Sequence, residues 1–365
     1  MTGDSSASSS AYSRAGVSSA GADDAVGALV AVLGTIDTGR PSLAQLRSGH
    51  YANVLKVASN LGVAVSTDGV GSKVIIAEQL GRFDSVGIDC MAMNVNDLIC
   101  VGATPIALVD YIAVEHADPR MLEQIAHGLK IGAELAGVEI PGGELAQLPE
   151  LIRGHPSPTG FDLVGAAFGT VALDQIVTGD DIQPGDVIIG LPSSGVHSNG
   201  LTLARKALLQ DAGLQLADVP PEFNGRSVGE ELLTPTEIYV KPILELLRSP
   251  VDVRGLAHLT SGGVLNLLRL SDRVGYEFDK PLAPQAVFTM IQSAAGVSDA
   301  EMHEVFNMGC GFCVIVPPEH ADAADSLLRA HYPGAHVIGH VTADAGRVAV
   351  PPNGLVGDKS GLRSS

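Results

Sequence analysis

The sequence predicts a mixed α/β protein of the α+β kind, built as two domains, and three observations carry the expectation. The first is length: 365 residues, at about 150 per domain, make roughly two. The second is pattern. β-like runs alternate with helical periodicities at uneven spacing, and no G-x-G-x-x-G follows the first strand, which disfavours a dinucleotide-binding fold. The third is punctuation. Composition shifts at His155-Pro156-Ser157-Pro158-Thr159-Gly160 and again at Thr178-Gly179-Asp180-Asp181-Ile182-Gln183-Pro184-Gly185-Asp186, so the domains divide between 175 and 183. The resulting scheme is a flexible tail over 1–24, an N-terminal domain over 25–178, a C-terminal domain over 179–350 and a Pro/Gly/Ser-rich tail over 351–365.

Along the chain, two short β-like runs flank Ser59-Asn60-Leu61-Gly62 and predict a hairpin between Tyr51 and Thr67. Further strands are expected over 85–88, 106–114, 161–171 and 186–191. Asp118-Pro119 combines an N-cap with proline at the first helical position, and Leu122, Ile125, Ala126, Leu129 and Ala133 then recur on one face until Gly137. A β-like run over 138–140 leads into Gly142-Gly143-Glu144, read as a turn. The second half predicts helices after Asn199-Gly200, from Thr234-Pro235 and over 321–331, with strands over 312–316 and 337–341. No short-period repeat occurs, which excludes solenoids and propellers.

Charge narrows the function classes. With 22 Lys+Arg against 41 Asp+Glu the net charge is -19, and no Lys/Arg run interrupts it, so neither nucleic acid nor an anionic membrane is an expected partner. Four cysteines are too few for a disulfide scaffold, and no stretch reaches the roughly 18 apolar residues of a membrane span. The N-terminus also lacks the charged start and apolar core of a secretory signal, so a cytoplasmic protein is expected. Cys310-Gly311-Phe312-Cys313 has C-x-x-C spacing, but nothing nearby completes a zinc set, and the thiols read as core packing. An acidic chain that handles phosphates needs divalent cations and backbone N–H groups to bind them.

Several segments fit that need. Ser66-Thr67-Asp68-Gly69-Val70-Gly71-Ser72-Lys73 ends a strand with a carboxylate, two glycines that let a backbone approach phosphate, and a lysine. Taken alone it reads equally as a tight strand-to-helix turn. In the helical segment after Ile88-Asp89, Met93, Asp97 and Cys100 share one face, setting a carboxylate in an apolar stripe beside Asn96. Gly143-Glu144 offers a third carboxylate. Ser193-Ser194-Gly195-Val196-His197-Ser198-Asn199-Gly200 supplies hydroxyls and glycine N–H groups without any carboxylate, which suits a substrate phosphate. His197 there is either a proton shuttle or a packing residue. His258-Leu259-Thr260-Ser261-Gly262-Gly263 is a further small-residue loop, equally a plain helix entry.

Taken together, S-T-D-G-V-G-S-K, V-G-I-D-C-M-A-M-N-V-N-D-L, L-V-D-Y-I-A-V, G-G-E, S-S-G-V-H-S-N-G and F-N-M-G-C-G-F resemble the phosphoribosylformylglycinamidine cyclo-ligases, or aminoimidazole ribonucleotide synthetases. The resemblance runs from about Tyr51 to Val350. It implies a homodimer whose N-terminal sheets pair into a barrel-like core, with an α+β C-terminal domain packed outside. It also implies ATP-dependent ring closure of formylglycinamidine ribonucleotide, a small-molecule substrate, in purine synthesis. Under it, Asp68, Asp97 and Glu144 hold Mg²⁺ on ATP. Gly69, Gly71, Lys73, Asn96 and Gly143 contact the nucleotide, and Ser194, Gly195, His197, Ser198 and Asn199 line the substrate site. His197 and Lys73 are the implied catalytic residues. Three positions depart from the family pattern: Leu145 and Gln147 replace a hydroxyl and a carboxylate after Glu144, and Ser261 replaces a glycine. A related kinase or synthetase with another substrate, and a catalytically weak nucleotide-binding paralogue, are the alternatives those departures imply.

Overall fold

The structure is a computed structural model that describes residues 19–46 and 49–365. Residues 1–18 of the expected tail, and residues 47 and 48, lie outside the described residues. From Ser19 the chain is already helical, as α1 (Ser19–Leu33).

The N-terminal sheet contains β1 (Asn53–Ala58), β2 (Leu61–Gly69), β3 (Thr104–Val114), β4 (Glu139–Gln147) and β5 (Phe161–Val171), in the order β1-β2-β5-β3-β4. The expected hairpin is β1–β2, antiparallel across Ser59-Asn60. On one face lie α2 (Lys73–Leu80), α3 (Asp84–Cys100) and α4 (Pro119–Ala136). Asp118 caps α4 by accepting from Arg120 N at 2.9 Å, and Gly137 ends it at φ 72°. α3 and α4 cross with their backbones in contact: a Cβ on Gly128 would stand 1.7 Å from Asp84 O.

Among the described residues, no element covers the other face of this sheet. Strand register puts Leu61, Val63 and Val65 of β2, Leu55 of β1, Val164 of β5 and Tyr111 of β3 on it. Leu55, Leu61 and Tyr111 are 39%, 41% and 41% exposed, enough to leave an apolar surface open.

The second sheet has eight strands in the order β13-β12-β11-β8-β10-β6-β9-β7. They are β6 (Val187–Pro192), β7 (Gly255–His258), β8 (Gly275–Glu277), β9 (Cys310–Val316), β10 (His336–Thr342), β11 (Val348–Val350), β12 (Leu355–Asp358) and β13 (Gly361–Ser364). β9 is buried along its whole length, including Cys310 and Cys313, whose sulfurs lie 3.7 Å apart as free thiols.

Four expectations fail here for identifiable reasons. Residues 85–88 are not a strand but the first turns of α3, a helix buried nearly all round, where a short apolar run carries no helical period. Gly142-Gly143 is not a turn: β4 runs straight through it at the sheet edge, where proline and glycine are tolerated. No helix opens at Thr234-Pro235, because that backbone is committed to tertiary bonds. Thr234 O accepts from Lys73, Pro235 O from Ser194 and Thr236 N donates to Asp89, so the helix waits until Val240. The segment 351–365 does not fray either. β12 and β13 form a hairpin on β11, Leu355 is buried, and Leu362 N donates to Glu304.

Candidate active site

The two domains meet at α3, and the chemistry gathers there. Asp68 sits at the end of β2, half-buried, with Oδ1 accepting from Gly69 N at 2.7 Å and its carbonyl accepting from Asn94 at 3.1 Å. Burial first, and then the charge of Asp97, raise its pKa above the usual carboxylate value. Two neighbouring carboxylates thus hold negative charge out of water, an arrangement that favours a cation between them.

Asp97 is oriented by a residue that sequence reading left outside the site. His258, fully buried at the end of β7, approaches Asp97 Oδ1 with Nδ1 at 3.0 Å, and its Nε2 faces Asn96 Nδ2 at 3.5 Å. Since the amide nitrogen only donates, the imidazole proton belongs on Nδ1 and points at the carboxylate. A histidine held this way fixes the orientation of the carboxylate. Its only sequence signal is its place just before the Thr260–Gly263 loop. Asp110 was missed as well. It faces the same side of the sheet as Asp68, two strands away with Gly165 between, and burial raises its pKa.

Three expected residues are placed differently. Lys73 does not face solvent or a phosphate: its ammonium is fully buried, 2.9 Å from Asp89 Oδ1 and 2.5 Å from Thr234 O. Asn96 is also enclosed, donating to Glu237 O at 2.8 Å and accepting from Tyr239 N at 3.0 Å, so its amide braces the domain junction. Glu144 does not join Asp68 and Asp97 within one protomer. It pairs in register with Tyr111 on the open face, three strand steps or roughly 14 Å from β2, which carries Asp68. Gly143 takes the helix-facing side, where a Cβ would stand 2.5 Å from Asp110 Oδ1. Among the described residues, the one set of three His, Cys or carboxylate donors within 4.8 Å of one another is Glu277, Asp279 and His340, on β8, just after it and on β10.

The loop 193–200 closes over this group from the C-terminal domain. Ser198 Oγ reaches Asp89 Oδ1 at 3.3 Å, Ser194 Oγ donates to Pro235 O, and Asn307 Nδ2 holds Gly195 O at 2.8 Å. Gly71 adopts φ 70°, a left-handed conformation that favours glycine, where its loop faces Ser198 O. His197 adopts φ 62°, is 3% exposed, and accepts from Ser194 N through Nε2 at 3.1 Å. Its proton therefore sits on Nδ1, which has no partner, as has Asn199 Nδ2. Beside Asp68, Arg269 lies 5.1 Å over the Tyr51 ring and borders a cavity of about 940 Å³ that also takes in His50, Asn266 and Ser261.

Burial, reinforced by His258 and Lys73, pushes the His197 pKa well below 6.5. The imidazole is neutral at pH 7 and acts as an N–H donor rather than as an imidazolium acid. The folded-state pKa is depressed, so its contribution to stability is complete above 6.5 and is lost as pH falls towards the folded value. His197→Gln should reduce the slope of urea midpoint against pH on the acid side of 6.5. An unchanged slope would contradict this placement.

Both domains match described families. Residues 49–171 match the AIR synthase related protein N-terminal domain, and residues 183–350 match its C-terminal domain. The chain belongs to the AIR synthase related family. More particularly, it is 51% identical over 295 residues to the phosphoribosylformylglycinamidine cyclo-ligase of Methanothermobacter thermautotrophicus, covering 81% of this chain and 84% of that one. It is 46% identical over 332 residues to the same enzyme of Methanocaldococcus jannaschii, covering 90% and 91%. Among solved structures, a hydrogenase maturation protein in complex with ATP superposes with a TM-score of 0.59 at 23% identity, covering 89% of this chain and 90% of that one. A thiamine monophosphate kinase from Aquifex aeolicus does so with 0.58 at 17%, covering 90% and 96%. These likenesses establish the fold.

Proposed function

We propose that the chain catalyses ATP-dependent closure of formylglycinamidine ribonucleotide to aminoimidazole ribonucleotide, releasing ADP and phosphate. The observation that carries the reading is the pairing of Asp68 and Asp97 on one side of the domain junction with unpartnered buried donors, His197 Nδ1 and Asn199 Nδ2, on the other. ATP activates the formyl oxygen, and the amidine-side nitrogen then closes the ring. Such phosphoryl transfer needs positioning and charge stabilisation more than a protein nucleophile.

The donor set fits a hard divalent cation, since Asp68 and Asp97 offer carboxylate oxygens and His258 leaves one Asp97 oxygen free. Mg²⁺ bound there would neutralise the phosphate charge of ATP. His197 offers its Nδ1 proton as a fixed hydrogen bond to a substrate oxygen. Leu145 and Gln147 lie on the outer strand β4 beside Glu144, so within one protomer these departures leave the Asp68 and Asp97 pair intact. Purified protein should release ADP only when the ribonucleotide and Mg²⁺ are both present. It should also restore growth to a purine-requiring strain blocked at this step. Folded protein that gives no substrate-dependent ADP rejects the reading.

The working form proposed is a homodimer through the open sheet face. Glu144 lies in that face, and β1 stops at Asn53 opposite Val65, so the end of β2 bearing Asp68 has a free edge for a neighbouring strand. A second copy then supplies the Glu144 that one protomer keeps remote. Asp97→Asn and Glu144→Gln, each inactive alone, should regain activity when co-expressed. With random pairing, half the dimers are hybrids with one intact site each, giving about one quarter of wild-type turnover per site. No recovery in verified hybrid dimers would place Glu144 outside the partner's site.

No helix of the described residues is long and apolar enough to cross a membrane.

A further inference from the structure

We infer that Arg205 anchors the phosphate of the substrate. The inference rests on the reading of that substrate as a ribonucleotide. Among the described residues, eight buried side-chain nitrogen or oxygen atoms have no hydrogen-bond partner. The nitrogens in that set are His197 Nδ1, Asn199 Nδ2 and Arg205 Nε, and all come from the one stretch 197–205. Buried donors are ordinarily satisfied, so three together along a loop and the helix it enters, α5 (Leu201–Arg205), mark where acceptor atoms of a ligand belong.

The charges near them differ: His197 has His258 and Lys73 as neighbours, and Arg205 has Glu78 on α2. Three residues before Arg205, on the same helix face, Thr202 Oγ1 lies 2.8 Å from Ser72 Oγ. Two hydroxyls sharing one hydrogen bond leave one O–H to donate elsewhere. Arg205 itself is half-buried and forms no ion pair among the described residues. Glu78 does not serve as one. Its carboxylate accepts from His155 N at 2.6 Å and Phe161 N at 3.4 Å, tying down the 154–161 loop. A guanidinium withdrawn from water without a bonded anion, next to a spare hydroxyl donor, has the fork geometry and charge that a phosphate monoester takes.

Steady-state kinetics and calorimetry with ribose 5-phosphate test the assignment. Arg205→Gln should raise KM for formylglycinamidine ribonucleotide by about 10- to 100-fold, with kcat and the KM for ATP within about threefold of wild type. It should also abolish the heat of ribose 5-phosphate binding, and Arg205→Lys should keep part of both. Glu78→Gln separates the anchor from simple charge compensation. If Arg205 only offsets Glu78, the double variant recovers the wild-type KM and the inference is overturned; if it anchors phosphate, the double variant stays weak. An active Arg205→Gln enzyme with unchanged KM also overturns it, and leaves the proposed reaction standing. Conversely, wild-type protein that turns over no ribonucleotide, yet loses ribose 5-phosphate binding in Arg205→Gln, rejects the reaction and keeps the anchor.

Discussion

Replacing Asp97 with asparagine is expected to lower substrate-dependent ADP release by about 1000-fold and to leave the folded structure in place. The asparagine oxygen still accepts the His258 Nδ1 proton, so the 3.0 Å contact between β7 and α3 survives the change. The negative charge beside Asp68 is lost. Burial and Asp97 together raise the Asp68 pKa, so removing Asp97 should move it back down and be visible as a lower carboxylate pKa by NMR. His258→Gln should have a smaller effect of the same kind, raising the Mg²⁺ requirement more than it lowers the saturated rate, because it frees a carboxylate without deleting it. An Asp97→Asn enzyme within tenfold of wild type would separate Asp97 from the metal.

The carboxylates were legible in the sequence because each is local to its own chain signal. Asp68 ends an apolar strand before two glycines, and Asp97 interrupts an apolar helix face. The α4 helix was legible for the same reason, as its cap, its proline and its terminal glycine all lie within its own residues. What was not legible depends on distant partners. Lys73 looks like a phosphate ligand until Asp89 and the Thr234 carbonyl, from another helix and the other domain, take two of its three protons and burial encloses the third. Asn96 is likewise claimed by Glu237 and Tyr239. Glu144 is displaced by strand register, because pairing with Tyr111 turns its side chain to the open face. His258 only heads a small-residue loop that reads equally as a plain helix entry, and it becomes informative when β7 brings it to Asp97.

The Lys73–Asp89 pair sets the second large expectation. Both side chains are fully enclosed, and Asp89 Oδ1 also accepts from Thr236 N at 2.7 Å and Thr236 Oγ1 at 2.6 Å. One carboxylate oxygen therefore joins α2 and α3 to the loop before Val240. Lys73→Met strands the Asp89 charge in the interior and should cost about 3–5 kcal/mol of folding stability, read as a lower urea midpoint. Adding Asp89→Asn removes that charge while keeping an oxygen for Thr236, so the double variant should recover most of the loss. Its activity then decides what Lys73 does. A stable Lys73→Met/Asp89→Asn protein that still releases ADP makes Lys73 a positioning residue, whereas one that folds but is inactive would return the ammonium to the phosphate, since the electrostatic strain has been relieved and only the direct contact is missing.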